Sequence, residues 1–186
     1  MSVHALEGGF VDVPVEASHA FRAVMTAMAR PGDIVTLHGA QPPVQLSPAA
    51  GAVLLTLCDP DTPVFLGAAH DSQSVRDWIT FHTGAPIVDA AHAMFAFGTW
   101  DDLPLEAFPI GSAEYPDRSA TIVVEVDRLE NAVATLQGPG IKETAQLFLP
   151  EKQVFIQNTA LFPLGLDFIF TSGAQLAALP RSTRVS

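Results

Sequence analysis

The order of helix-like and strand-like segments is the feature that most constrains the fold of this chain. In the first half, segments with a helical period of apolar residues are separated by short apolar runs. In the second half, apolar runs follow one another across short turns. Helical crossovers favour parallel strands, and local succession favours antiparallel pairs. The sequence therefore predicts an α/β fold, a three-layer α/β/α sandwich with a mixed sheet.

Four segments are predicted to be helical. Apolar residues at helical spacing place Phe21 and Met25 on the buried face of the first helix, which Pro31-Gly32 ends. Ser47-Pro48 provides a capping hydroxyl followed by a proline at the first helical position. The predicted helices cover about residues 16–29, 48–58, 71 or 72 to 82, and 150–161.

The remaining apolar runs are short and typical of strands. Ser172-Gly173-Ala174 separates two of them and indicates a hairpin. The segment 98–119 has no apolar period, and such a long loop is usually functional or interfacial. The strands predicted at 120–126 and 132–136 are joined at residues 127–130 and are expected to pair locally. The other predicted strands cover 33–37, 63–67, 86–88, 93–97, 147–149, 166–171 and 175–179.

Composition limits the size of the protein and its partners. With 186 residues, of which 48% are apolar, the chain suits a single domain over residues 1–186. The formal net charge of −11 disfavours nucleic acid and acidic membrane surfaces as partners. The single cysteine excludes an intrachain disulfide, and the first residues lack the basic and apolar regions of a signal peptide. A cytoplasmic location is expected.

The sequence gives little support for independent catalysis. The six histidines show no zinc-binding spacing, so no metal site is expected. Cys58 lies in an apolar helical run, where a thiol behaves as a small hydrophobe. The acidic pair Asp101-Asp102 fits turn capping better than acid catalysis. No catalytic residue is predicted.

Gly138-Pro139-Gly140-Ile141 is the strongest turn signal in the chain. Glycine permits positive φ, and proline fixes φ and removes an N–H donor. Such a turn either connects two strands or holds an anion on its N–H groups. The segment lacks a third glycine and a lysine at the spacing of phosphate-binding motifs. A connection between strands is therefore the favoured interpretation.

Six motifs, short individually but specific in this order, resemble one family over residues 15–184. The motifs are Phe21-Arg22-x-Val24-Met25 with Arg30-Pro31-Gly32, Leu54-Leu55-Thr56-Leu57-x-Asp59-x-Asp61-Thr62-Pro63, Phe81-His82-Thr83-x-Ala85-Pro86, Gly138-Pro139-Gly140-Ile141, Phe162-Pro163-Leu164-Gly165-x-Asp167 and Leu179-Pro180-Arg181. With these motifs the chain is similar to the H-subunit family of the bacterial carbon-phosphorus lyase system for phosphonate degradation.

The resemblance implies the topology of pyridoxal-phosphate-dependent transferases without their cofactor site. A Schiff-base lysine would have to be Lys142 or Lys152, the two lysines of the sequence. Both are expected to be exposed to solvent, one just past a turn and the other in the first turn of a helix. No cofactor is therefore predicted.

The resemblance also implies a subunit role. Members of the family act with subunits G, I and J in a complex that, with the L subunit, forms ribose 1-phosphonate 5-triphosphate from ATP and a phosphonate, and they form a homodimer when isolated. The chain has no cluster-ligating cysteines, so it cannot carry out the carbon–phosphorus cleavage that belongs to the J subunit. The alternative is a self-sufficient enzyme or binding protein with a pocket for a phosphate ligand. The ligand or interface candidates, taken by motif, are His82, Thr83, Gly138, Pro139, Gly140, Ile141, Asp167 and Arg181.

Overall fold

A computed structural model describes residues 7–186 of the chain as an α/β protein with two sheets. The α-helices are α1 (Val13–Ala29), α2 (Pro48–Leu57), α3 (Gln73–His82) and α4 (Lys152–Ala160). The strands are β1 (Val35–Thr36), β2 (Val64–Leu66), β3 (Phe95–Thr99), β4 (Thr121–Glu125), β5 (Ala134–Gln137), β6 (Ala145–Leu147), β7 (Asp167–Ser172), β8 (Gln175–Leu179) and β9 (Arg184–Val185).

The main sheet has six strands in the order β1-β8-β7-β4-β3-β2. Its strands β2, β3, β4 and β7 run parallel, whereas β8 is antiparallel to both β7 and β1. The mixed sheet predicted from the sequence is therefore confirmed. The hairpin between β7 and β8 is confirmed as well, with Gly173 at φ 55° in a two-residue turn.

The second sheet has three antiparallel strands in the order β6-β5-β9. The turn at Gly138 joins β5 to β6, so its interpretation as a connection between strands is correct. The expected pairing of β4 with β5 is wrong. Both edges of β4 are occupied, by β3 and by β7, and Val133 adopts a φ of 71° that breaks the extended chain just before β5.

Alternate residues of the central strands contribute to two separate apolar cores. Val123 and Ile169 pack in one core with buried residues of α1, α2 and α3. Ile122 and Phe168 pack in the other with Phe155 of α4 and with buried residues of the small sheet. The period of two residues along each strand explains this division. The sandwich layering and the likeness to pyridoxal-phosphate transferases stay predictions.

Capping side chains fix where the first three helices begin. Asp12 caps α1, which starts at Val13 rather than at residue 16. Ser47 caps α2 by accepting the N–H of Ala50 at 3.1 Å, as the Ser-Pro pair predicts. Ser72 caps α3 in the same way. Polar residues ahead of apolar runs therefore located α2 and α3 well, whereas the cap of α1 was not predicted.

Three predictions about individual segments need correction. Phe21 and Met25 are not buried, since their exposed fractions are 50% and 51%, and the buried stripe of α1 consists of Ala20, Val24 and Ala27. The strand predicted at 86–88 is reduced to a single bridge between Ile87 and Val64. Strand β3 begins two residues later than predicted and ends at Thr99.

No helix within residues 7–186 is both long enough and apolar enough to cross a bilayer. The segment 98–119, predicted to lack regular structure, contains the end of β3 and three short 3-10 helices. These helices are Trp100–Asp102, Leu105–Ala107 and Pro116–Arg118.

Candidate functional site

His82 and Thr83 end helix α3. The hydroxyl of Thr83 donates to the carbonyl of Ile79 at 2.9 Å, and this bond is typical of a helix terminus. The ring of His82 lies 5.0 Å from that of Trp78, and its Nε2 is 3.4 Å from the carbonyl oxygen of Glu7. Burial lowers the pKa of His82, which favours its neutral form. These two candidates are therefore held at the end of the helix, Thr83 by a contact within α3 and His82 by contacts with Trp78 and with the distant Glu7 carbonyl.

The Gly138 turn lies against the end of α1 and the last residues of the chain. A Cβ on Gly140, which has a φ of 80°, would overlap the carbonyl oxygen of Ala29. A Cβ on Gly138 would lie 3.2 Å from the carbonyl oxygen of Ser182. Both glycines are therefore needed for close backbone approach. The four turn candidates, Gly138, Pro139, Gly140 and Ile141, occupy this junction.

Asp167 and Arg181 form an ion pair with each other. The Arg181 guanidinium contacts both carboxylate oxygens of Asp167, and the Arg181 backbone N–H donates to Oδ1 at 2.8 Å. The same guanidinium donates to the carbonyl of Pro116 at 2.8 Å and to the hydroxyl of Ser119. The two side chains are only 18% and 13% exposed. Arg181 thus connects the start of β7 to the loop that contains Pro116 and Ser119.

The structure brings some of the predicted candidates together. Asp167 meets Arg181 directly, and the Gly138 turn contacts Ser182, the next residue along the chain. His82 and Thr83 are placed separately, at the end of α3. Whether any of these residues contacts a ligand or a partner stays a prediction, because their observed contacts are all within the chain.

A cleft of about 600 Å³ lies elsewhere, at the carboxyl ends of β2, β3 and β4. Open parallel sheets bind ligands preferentially at this edge. The strand side of the cleft is formed by His70, Thr99 and Glu125, and the loop before α2 forms the opposite wall. Among its lining residues there is neither a lysine nor an arginine. The cleft lies where a ligand site is expected, but it lacks the fixed cations of a phosphate site.

Strand register aligns polar residues along the floor of this region. Thr99 pairs with Glu125, and Glu125 pairs with Thr171 of β7. By the alternation of the strands, all three lie on the face that carries Val123 and Ile169. The hydroxyl of Thr171 is buried and has no hydrogen-bond partner within the described residues. A polar row therefore crosses the ends of three neighbouring strands.

His70 is the most unusual side chain of the cleft. It is 2% exposed, and neither ring nitrogen forms a hydrogen bond within residues 7–186. Its Nε2 lies 3.5 Å from Oε2 of Glu125, which is close enough for an ion pair but not aligned for a hydrogen bond. The buried Oε1 of Gln45 also has no hydrogen-bond partner in the described part of the chain. Unpaired buried polar atoms are costly, and they are typical of sites completed by a ligand or water.

Asp102 holds the loop that carries His70. Its Oδ2 accepts the N–H of Ala69 at 2.8 Å, while its buried Oδ1 has no partner among the residues that the structure describes. Gly67 and Gly98 leave room for this carboxylate, because a Cβ on either residue would overlap it. The sequence predicts a turn-capping role for Asp102, and the turn that its carboxylate contacts is the one after β2, so Asp102 ties together the loops after β2 and β3. Within residues 7–186, no three histidine, cysteine or acidic side chains are grouped to hold a metal ion.

Comparison with known proteins identifies the family. The family model described as bacterial phosphonate metabolism protein (PhnH) matches residues 8–186. The chain belongs to the PhnH family. It is 42% identical to the PhnH subunit of alpha-D-ribose 1-methylphosphonate 5-triphosphate synthase from Rhizobium meliloti (strain 1021), over 96% of this chain and 94% of that protein. It is also 34% identical to the putative C-P lyase subunit protein HtxG of Stutzerimonas stutzeri, over 97% of this chain and 96% of that protein.

Membership of the PhnH family confirms the resemblance found from the six motifs. The motifs did not, however, point to the cleft. His70, Thr99 and Glu125 are far apart in the sequence, and each follows or ends a strand of its own. Their shared position at the carboxyl ends of parallel strands is the signal that could have found them.

Proposed function

We propose that this chain is a non-catalytic subunit of a carbon-phosphorus lyase core complex, where it supports formation of ribose 1-phosphonate 5-triphosphate from ATP and a phosphonate. The observation that carries the proposal is its 42% identity, over 96% of its length, to a protein named as a subunit of that synthase. Its second relative is also named as a subunit, of a C-P lyase. Both names describe parts of assemblies.

The nucleophiles of the chain support a role without independent catalysis. Lys142 and Lys152 are exposed, so neither has the desolvated environment that activates a Schiff-base lysine. Burial raises the pKa of Cys58 to about 12, with a smaller contribution from Asp59, which keeps the thiol protonated. A single three-layer α/β/α domain with the pyridoxal-phosphate transferase topology but without that cofactor is part of this proposal.

The partners that we propose are subunits G, I and J, with a homodimer when the chain is isolated, and the location is the cytoplasm. The formal net charge of −11 supports association with a more basic partner surface. The alternative, a self-sufficient enzyme with a phosphate pocket, is less well supported because no lysine or arginine lines the carboxyl-edge cleft.

Reconstitution tests the proposed function. The chain should copurify with subunits G, I and J in fixed stoichiometry, and leaving it out should reduce formation of the ribose 5-triphosphate product. Adding the purified chain back should restore product formation. Failure to copurify, or full activity in its absence, would contradict the proposal. Product formation by the chain alone would instead support the self-sufficient enzyme.

A further inference from the structure

We propose that the cleft at the carboxyl ends of β2, β3 and β4 binds an uncharged nucleoside, with its ribose hydroxyls at Glu125 and His70. The evidence for a site is the geometry of the cleft, and the choice of a ribose ligand rests on the proposed function. The volume of about 600 Å³ accommodates a ligand of this size.

The polar atoms of the cleft favour a ligand rich in hydrogen-bond donors. Glu125 carries a carboxylate, and Gln45 has a buried Oε1 without a partner in residues 7–186; both groups accept hydrogen bonds. His70 adds two buried ring nitrogens that form no hydrogen bond within the same residues and can donate or accept according to the tautomer. Sugar hydroxyls can both donate and accept, so they can satisfy this mixed set. A carboxylate binding the hydroxyls of a ribose is a common arrangement at this edge of parallel sheets.

The N-terminus of α2 borders the cleft, but its N–H groups already have acceptors. The N–H of Ser47 donates to Oε2 of Glu125 at 3.3 Å, and that of Ala49 donates to the carbonyl of Gly173 at 2.9 Å. The N–H of Ala50 donates to the Ser47 hydroxyl, and Pro48 has none to offer. Glu125 therefore occupies the position in which a helix N-terminus would hold a phosphate.

The wall opposite the strands is apolar and suits the base of a nucleoside. The loop before α2 contributes Pro42, Val44 and Leu46 to the lining of the cleft, and α2 itself contributes Pro48. Val44 is 95% exposed, so its side chain has almost no covering from the protein. An aromatic base placed against this loop would cover apolar surface while the ribose reaches the polar floor.

Calorimetric titration of the isolated chain tests the site directly. Adenosine is expected to bind measurably, whereas inorganic triphosphate is expected not to bind at the cleft. Glu125→Gln should weaken adenosine binding about tenfold, because hydrogen bonds to a charged acceptor are the stronger ones. Any residual binding of triphosphate should not be weakened by the same variant, because the Glu125 carboxylate repels that anion. Glu114→Gln, at an exposed position outside the cleft, removes the same charge and is expected to leave adenosine binding unchanged.

Gln45→Met provides a second test that leaves the Glu125 carboxylate unchanged. Replacing the Gln45 side chain, whose buried Oε1 has no partner within residues 7–186, by an apolar side chain of similar length should raise the melting temperature of the free chain and weaken adenosine binding. A structural residue would instead lose stability on substitution. Adenosine that fails to bind, triphosphate that binds more tightly, or adenosine binding unaffected by both cleft variants would overturn the proposal.

Assembly distinguishes this inference from the proposed function. Glu125→Gln and Gln45→Met should still copurify with subunits G, I and J, because the cleft is not needed for the subunit role itself. Normal assembly without adenosine binding would overturn the nucleoside site alone. Loss of assembly by the unaltered chain would contradict the proposed function, whatever the titration shows.

Discussion

At the scale of single residues, burial separates reactive side chains from structural ones. Cys58 is 7% exposed at the end of α2, and this burial in the apolar core raises its pKa. His70 is buried to a similar degree, yet its ring faces a cleft and has no hydrogen-bond partner in the described chain. Packing alone accounts for the Cys58 side chain, whereas the ring nitrogens of His70 need hydrogen-bond partners that residues 7–186 do not supply.

The raised pKa of Cys58 predicts slow reaction with thiol reagents. At pH 8 its thiolate fraction should be roughly a thousandfold below that of a free cysteine, since the pKa is about 12. Absorbance after addition of a disulfide reagent should therefore rise very slowly for the folded chain and quickly in concentrated guanidinium chloride. Reaction of the folded chain at the rate of a free thiol would contradict the prediction.

At the scale of elements, one turn connects three parts of the fold. The Gly138 turn joins β5 to β6, and its glycines lie against the end of α1 and the residues just before β9. Gly140 has no space for a side chain because the Ala29 carbonyl faces it. Gly173, in the β7–β8 turn, also has a positive φ but has open space around it. Substituting the two glycines therefore distinguishes the free-energy cost of a side chain at positive φ, which both share, from the cost of a steric overlap, which only Gly140 has.

Alanine substitution of these two glycines should have unequal effects. Gly173→Ala should lower the free energy of unfolding by about 1 kcal/mol, the cost of a side chain at positive φ. Gly140→Ala should cost about 3 kcal/mol or more, since it also forces the turn away from α1. Denaturant unfolding measures both. Equal losses would show that the contact with Ala29 does not matter.

At the scale of the whole molecule, Arg181 links segments that are distant in the sequence. Its guanidinium binds Asp167 at the start of β7 and the Pro116 carbonyl in the long loop, while its backbone follows β8. Arg181 is therefore a mostly buried cation that helps to attach the loop 98–119 to the main sheet. Removing either charge leaves the other buried without its partner.

A double-mutant cycle tests this link. Arg181→Met should lower the free energy of unfolding by about 3 kcal/mol, and Asp167→Asn should also be destabilising. The double variant should lose less than the sum of the two, because neither substitution then leaves an unpaired charge. Chemical denaturation of the four proteins gives the coupling energy. Additive losses would indicate that there is no coupling free energy between the Asp167 and Arg181 side chains.

The sequence predicts much of the architecture but not the cleft. Caps such as Ser47 and turn signals such as Gly173 act locally, so they located the helices and the hairpin. The burial of Phe21 was predicted wrongly because α1 has a narrower buried stripe than its apolar residues suggest. The pairing of β4 was also mispredicted, since its neighbours come from distant parts of the chain. His70 and Glu125 meet for the same reason, through strand order that no local pattern encodes.

The strand order of the main sheet also sets when the protein can fold during synthesis. Strands β7 and β8, which are translated well after β1 and β4, lie between β4 and β1, and Val35 pairs with Leu176 over a long sequence separation. A nascent chain that ends before Asp167 leaves one edge of β4 uncovered and gives β1 no neighbour. Such an open apolar edge invites pairing with other chains. Completion of the sheet, and with it protection from aggregation, must therefore wait until β7 and β8 have been translated.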